Sequence, residues 1–246
     1  MKYLVCISKT PDTTAKIGFT NNNKTFDSSG VQYIMNPYDE WYALVRALEL
    51  KEAQGGDITL INVGASDNET IIRKGLAIGG DKAVRINAEN PSAWFVANQI
   101  ANYANTEGFD IIFTGKETID YNGAEVPAMV AELVDMPLIS FASKLELSGN
   151  KATIQRDIEG GVEVVEVETP FVISASKGLA EQRIPNMRGI MMAKTKPLEV
   201  LEPIAVDELI EIDHFETPPP KSSVKLVDPA NMEELVRLLH EEAKII

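Results

Sequence analysis

Short apolar runs separated by longer amphipathic stretches dominate the first 135 residues. Tyr3 to Ser8, Asp57 to Val63, Ala83 to Ile86 and Asp110 to Thr114 mostly lack apolar–polar alternation, the pattern of strands buried on both faces. Helical signals lie between them. Asn36-Pro37 followed by Asp39 and Glu40 places a capping side chain, a first-turn proline and acids at a helix start, and Trp41, Leu44, Val45 and Leu48 then form a stripe to about Gln54. Asp67 to Ile78 ends at Gly79-Gly80, and Pro91 to Ala104 runs into the polar Asn105 to Gly108. This alternation predicts right-handed crossovers. The fold class is therefore α/β: a three-layer, Rossmann-like, open and mostly parallel sheet.

After about Asp135 the pattern changes. Leu138 to Leu147 and Ala152 to Ile158 flank the turn signal Ser148 to Lys151, and valines 162, 164, 165 and 167 precede Phe171 to Ala175, which predicts an antiparallel extension of the same sheet. Beyond Pro197 no comparable core pattern is expected. Pro203, Pro218 to Pro220 and Ser222-Ser223 read as an extended linker, and Asp228-Pro229 opens a last helix, Glu233 to Lys244. Residues 1–200 thus read as one α/β nucleotide-binding-type domain, and 201–246 as an extended carboxyl arm ending in a helix that reaches a neighbouring subunit or folds onto its own domain.

Composition narrows the chemistry. Among 246 residues, one cysteine excludes an internal disulfide or a thiolate cluster, and two histidines in the tail make a histidine metal site improbable. A net charge of −14 argues against nucleic acid. No apolar run reaches the roughly 18 residues of a membrane span, and without a signal-peptide pattern the expected location is cytoplasmic. The charge is uneven: Lys177, Arg183, Arg188, Lys194 and Lys196 form a basic island with only Glu181 among them, ahead of an acidic tail. An acidic partner, a cofactor phosphate or an ordinary solvated loop all suit that pattern.

Ligands of an open parallel sheet sit at the carboxyl ends of strands, which directs attention to Ser8 to Asp12, Val63 to Ser66 and Gly115 to Ala124. No GxGxxG or Walker loop occurs, although a glycine-bracketed loop entering a helix offers backbone N–H groups to an anion. Cys6, inside the first apolar run, reads as an inert core thiol. His214, His240, Glu241 and Glu242 read as surface groups, and no acid, base and nucleophile set emerges. The pattern is that of a carrier or binding subunit, with no catalytic constellation. In the segment 176–198, three of the eight methionines fall between 187 and 192. Methionine suits adaptable contacts. Met187 is expected to be exposed, and Met191 and Met192 to be packed in the core.

The chain resembles the beta (small) subunit of electron-transfer flavoproteins over nearly its whole length. The residues that carry this are Pro11-Asp12, Met35 to Glu40, Leu76 to Asp81, Thr114 to Asp120, Arg156 to Gly161, Gly178 to Arg183 and Ile190 to Glu199, with Gln182 where proline is common. The resemblance implies a heterodimer with an alpha subunit that holds most of the FAD site, around which the carboxyl arm would wrap. Electrons would pass from acyl-CoA or related dehydrogenases through FAD to a quinone oxidoreductase, as in fatty acid oxidation. The alternative from another class is an adenine-nucleotide-binding regulatory or stress-type α/β protein without a redox role.

Carried over by the same resemblance, Thr13 (where an aromatic is frequent) and Tyr38 would lie near the flavin ring, and Asp157 would restrain the mobile flavin domain. Positions 184–194 would be a recognition loop, with Met187 as its apolar anchor and Ile184, Pro185, Arg188, Ile190 and Met191 around it. AMP, or a second FAD in electron-bifurcating relatives, would be held by Cys6, Asn36, Pro37, Tyr38, Asp39, Val63 and the loop Gly115, Lys116, Glu117, Thr118, Ile119, Asp120, Tyr121, Asn122, Gly123, Ala124, Glu125 and Val126. At the end of that loop the family offers polar side chains to the phosphate, whereas Ala124 and Val126 donate nothing and Glu125 repels an anion unless it turns away.

Overall fold

The computed structural model describes residues 1–221 and 223–246; Ser222, part of the expected linker, lies outside the described residues. In chain order the elements are β1 (Lys2–Cys6), β2 (Lys9–Pro11), β3 (Phe19–Thr20), β4 (Thr25–Phe26), β5 (Tyr33–Met35), α1 (Asp39–Gln54), β6 (Asp57–Val63), α2 (Glu69–Ile78), β7 (Lys82–Ile86), α3 (Ala93–Glu107), β8 (Ile111–Gly115), α4 (Val126–Leu133), β9 (Leu138–Ser148), β10 (Lys151–Ile158), β11 (Gly161–Glu168), β12 (Phe171–Ala175), α5 (Met187–Ala193), β13 (Leu198–Leu201) and α6 (Met232–Arg237). A π-helical turn, Leu238–Glu242, continues α6.

Among the described residues, nine strands form one sheet in the order β11-β10-β9-β12-β8-β1-β6-β7-β13. The pairs from β9 through β12, β8, β1, β6 and β7 to β13 are parallel, and the β9-β10-β11 end is antiparallel. The expected three-layer α/β sheet and its antiparallel extension are therefore present. Two details differ. Phe171–Ala175 returns between β8 and β9 as a parallel core strand, and Leu198–Leu201 adds a strand beyond Pro197, where no core pattern was expected. The second was hidden because β13 is an edge strand, with Glu199 and Val200 exposed and Leu198 and Leu201 half-buried.

Alternation along β1 shows why the sheet has two cores. Tyr3, Val5 and Ile7 pack with the α1 and α2 residues Leu44, Leu50, Ile72 and Leu76, while Leu4 and Cys6 pack with Ala97, Ile100 and Val130 of α3 and α4. Each apolar side chain withdrawn from water contributes about 1.5–3 kcal/mol, so a strand buried on both sides fixes the layer order.

The chain divides into two compact units, residues 1–16 with 27–212 and residues 17–26 with 213–246. The first holds the sheet. Within it the stretch after β13 is tied down: the Gln99 side chain donates to the Ile204 carbonyl and accepts from its N–H, both at 2.9 Å. In the second, Phe19 stacks on Phe215 with ring centroids 5.0 Å apart, and the Phe215 N–H bonds the Asn23 carbonyl. Its helix starts at Met232 with an Asn231 cap, close to the expected start.

Candidate functional site

Along the chain, β6 and β7 follow β1 on one side of it, whereas β8 and β12 lie on the other. The strand order reverses between β1 and β8, and a crevice opens at the carboxyl ends of such a pair. Cys6 ends β1 there, Val63 ends the neighbouring β6, and Gly115 ends β8. Asn36, fully buried, ties the surrounding turns together: its amide nitrogen donates to the Glu117 carbonyl at 3.0 Å, and its amide oxygen accepts from the Ile119 N–H at 3.1 Å. One asparagine thus fixes the loop after β8 against the start of α1.

Tyr38 caps α1 with φ 63° and ψ −95°, a conformation that a residue with a Cβ rarely adopts, and its ring is 53% exposed. Such strain persists only where the surroundings impose it, and here Pro37 and the buried Asn36, Asp39 and Glu40 do so. Gly115 is equally constrained. A Cβ there would lie 2.9 Å from Glu40 Cγ and 3.2 Å from Asp39 Cβ, so α1 reaches the end of β8 only because position 115 has no side chain.

The crevice floor is acidic. Glu40, buried, accepts from the Ser8 N–H at 2.7 Å and from Ser8 Oγ. Burial pushes its carboxyl up to about 8, the Ser8 bonds oppose that shift, and Asp120 and Asp39 add repulsion. Asp39 is raised to about 6 by burial, with Lys116 pulling down and Glu117 pushing up. Both carboxyls are thus harder to ionise than usual, Glu40 the more so. Sequence reading missed Ser8 and Glu40 as a pair; the available signal was that Glu40, Ala43, Leu44 and Ala47 share the buried stripe of α1. Cys6 is buried, and burial together with the Glu40 charge raises its thiol far above the reactive range, in keeping with a core role.

The residues after Gly115 do not fit a bound phosphate. The Lys116 ammonium lies 3.3 Å from the Glu117 carboxylate, Asp120 is a further acid, and Glu125 caps α4 without any side-chain cap bond. Pro127, in the first turn of α4, withdraws one of the N–H groups that an anion would use. Tyr121, Asn122, Gly123 and Ala124 are exposed, with Asn122 and Ala124 at positive φ, and Thr118 accepts the Asn122 N–H through its carbonyl. Val126 is half-buried. Tyr38, by contrast, offers an exposed aromatic side chain on a rigid turn at the start of α1.

Other expected site residues lie elsewhere. Thr13 is exposed just beyond the Pro11↔Tyr33 end of the β2–β5 ribbon, while Tyr38 follows its Lys9↔Met35 end, so the ribbon separates them. Asp157 is exposed on β10 and accepts from Ser143 Oγ at 3.2 Å. The segment 184–194, expected to be irregular, contains helix α5, started by Asn186, whose side chain accepts from the Gly189 N–H. Ile184, Met187 and Met191 are 86%, 73% and 68% exposed, and Arg188, Ile190 and Met192 are exposed too, with Pro185 half-buried. Met187 is exposed as expected. Met191 and Met192 were expected in the core, and the structure corrects this: α5 buries Ala193 instead. The basic island is partly consumed by structure, since Arg183 pairs with Glu52 at 2.8 Å and Lys196 bonds backbone carbonyls.

Comparison with known proteins agrees with this architecture. Residues 24–206 match the electron transfer flavoprotein domain. The chain is 39% identical to the electron transfer flavoprotein subunit beta of Bacillus subtilis over 261 aligned residues, covering all of both chains. It is 31% identical to the mouse electron transfer flavoprotein subunit beta, covering all of this chain and 99% of that one. It is also 32% identical to the acryloyl-CoA reductase electron transfer subunit gamma of Anaerotignum propionicum, over 87% of this chain and 82% of that one.

Proposed function

The chain belongs to the electron transfer flavoprotein family as a beta-type subunit, and from that premise we propose that it is half of a heterodimeric electron carrier, a non-catalytic subunit that supports FAD bound mainly by an alpha subunit. When bound, FAD supplies the redox chemistry, and the protein positions and tunes it. In this chain the exposed Tyr38 ring, held rigid by its strained turn, lies against the flavin from one side, with Thr13 at the far end of the same ribbon. Asp157, exposed on the antiparallel extension, restrains the flavin-bearing domain by charge.

The observation that carries the reading is the row of exposed apolar side chains at Ile184, Met187, Ile190 and Met191 on a chain of net charge −14. Contiguous apolar exposure on a soluble, highly charged protein marks an interaction surface. We assign it to electron-donating acyl-CoA or related dehydrogenases, with Met187 as the anchor. A quinone oxidoreductase is the acceptor that completes the route. In the smaller unit, exposed Val224, Leu226, Met232 and Val236 offer a second apolar surface, which the alpha subunit covers.

The acidic crevice argues against AMP or a second FAD in this subunit, because either would bring phosphate among Asp39, Glu117, Asp120 and Glu125. Coexpression with a family alpha subunit tests the central claim. A yellow heterodimer with a flavin absorbance spectrum is expected, and a colourless homodimer that binds adenine nucleotide would overturn it.

A further inference from the structure

Helix α5 has only seven residues, too few to hold itself in water, yet four of its apolar side chains, Met187, Ile190, Met191 and Met192, are exposed. Something outside it must fix its geometry, and the neighbouring α2 does so where the carboxyl ends of the two helices meet. Arg73, half-buried on α2, donates from Nη1 to the Ala193 carbonyl at 2.8 Å and to the Lys196 carbonyl at 2.7 Å, satisfying the open carboxyl end of α5. Lys196 returns the arrangement: its Nζ donates to the carbonyls of Leu76 and Gly80, the open end of α2. Cationic donors at helix carboxyl ends also complement the helix dipole.

Close approach makes this exchange possible. A Cβ at Gly189 would lie 2.5 Å from the Ala77 carbonyl oxygen, so α5 rests on α2 backbone to backbone. Upstream, the segment is pinned a second time. Trp41 Nε1 donates to the Arg183 carbonyl at 3.1 Å, and Arg183 holds Glu52 through two bonds of 2.8 and 2.9 Å. Ile184 to Met192 is thereby suspended between two fixed points.

We propose that Arg73 and Gly189 are positioning residues that present the methionine-bearing helix α5 to the electron donor as a preformed, rigid ledge. The inference rests on the assignment of α5 to dehydrogenase docking given above. A preformed ledge binds without first paying to order the segment, so loosening it weakens docking and leaves the redox step untouched.

The test uses the FAD-containing heterodimer and a substrate-reduced acyl-CoA dehydrogenase, with steady-state reduction followed as heterodimer concentration is varied. Met187→Ala serves as the control on the docking assignment. Arg73→Gln is expected to raise KM about fivefold, the size associated with losing a charge-assisted hydrogen-bond pair, with kcat and flavin content unchanged. Arg73→Lys, whose ammonium can still reach both carbonyls, restores most of the loss, and Gly189→Ala raises KM as Arg73→Gln does. Amide hydrogen exchange in the free heterodimer, faster at residues 190–196 in Arg73→Gln, reads the clamp without any dehydrogenase. An unchanged KM for Arg73→Gln alongside a raised KM for Met187→Ala overturns the inference and spares the docking assignment. An unchanged KM for Met187→Ala removes the docking assignment, and the inference falls with it, even where exchange shows that the clamp is present.

Discussion

Replacing Glu40 by glutamine isolates the thermodynamic weight of the buried acid under the crevice. Glutamine keeps both Ser8 contacts: its amide oxygen accepts the Ser8 N–H, and its NH2 donates to Ser8 Oγ. What it removes is the ionisation. In the folded chain the Glu40 carboxyl titrates at about 8 against an ordinary 4.5, so between those pH values the native state holds a proton that the unfolded state has released. Stability must therefore fall as pH rises through this window. Integrating the difference from pH 5 to pH 8 gives a ceiling of about 3.5 kcal/mol lost by the wild type relative to Glu40→Gln. Relaxation around a newly charged group recovers part of that, leaving about 2 kcal/mol. The Asp39 contribution, which has the same sign, is common to both proteins and largely cancels. Thermal unfolding of both proteins at pH 5, 6, 7 and 8 gives the readout. The midpoints should nearly coincide at pH 5, and the variant should lead by about 4–8 °C at pH 8. Parallel profiles across the whole range would show that Glu40 is charged in the native protein and refute the reasoning.

The strained turn offers an opposing test: Tyr38→Gly relieves the positive φ and should raise unfolding stability by about 1 kcal/mol while lowering FAD retention in the heterodimer, checked by calorimetry and by flavin released on dilution. Met187→Ala should weaken reduction by an acyl-CoA dehydrogenase about tenfold in kcat/KM, as for loss of an interface anchor, with the absorbance spectrum unchanged. Mass spectrometry of the denatured heterodimer should find FAD but far less than one AMP per beta chain, and Glu125→Gln should strengthen AMP binding measured by calorimetry, because it removes one negative charge from the phosphate approach.

The sheet was largely legible because its strands are buried on both faces and announce themselves as unbroken apolar runs. Asp57–Val63 and Phe171–Ala175 have the expected bounds, and β1, β7 and β8 fall within a residue or two. Edges and exceptions were not legible. β13 pairs with β7 through its backbone, so its side chains carry no core signature. α5 has too few residues to show a periodicity, and its placement depends on Arg73, Gly189 and Lys196, each of which meets partners more than one hundred positions away. Met191 and Met192 were expected in the core as ordinary apolar residues, whereas the surface they occupy is decided by the approach of Gly189 to Ala77. At the crevice, sequence placed Asn36 to Asp39 and the Gly115 loop together only through resemblance. The long-range bonds from Asn36 to Glu117 and Ile119 now give a physical reason for it.

The ledge crosses the carboxyl half of α2, beside the turn that feeds β7, whereas the crevice lies at the opposite rim, where β1 and β8 end. A five-residue strand spans about 17 Å, so the clamp on α5 and the strained turn at Tyr38 are separated along the length of the sheet. Substitutions of Arg73 or Gly189 and of Gly115 should therefore add, whereas Trp41, which follows Glu40 and holds the Arg183 carbonyl, bridges the two places. Under the proposed function, a different electron donor could then be accommodated by repainting the methionine helix, with the strained turn at Tyr38 left as it was.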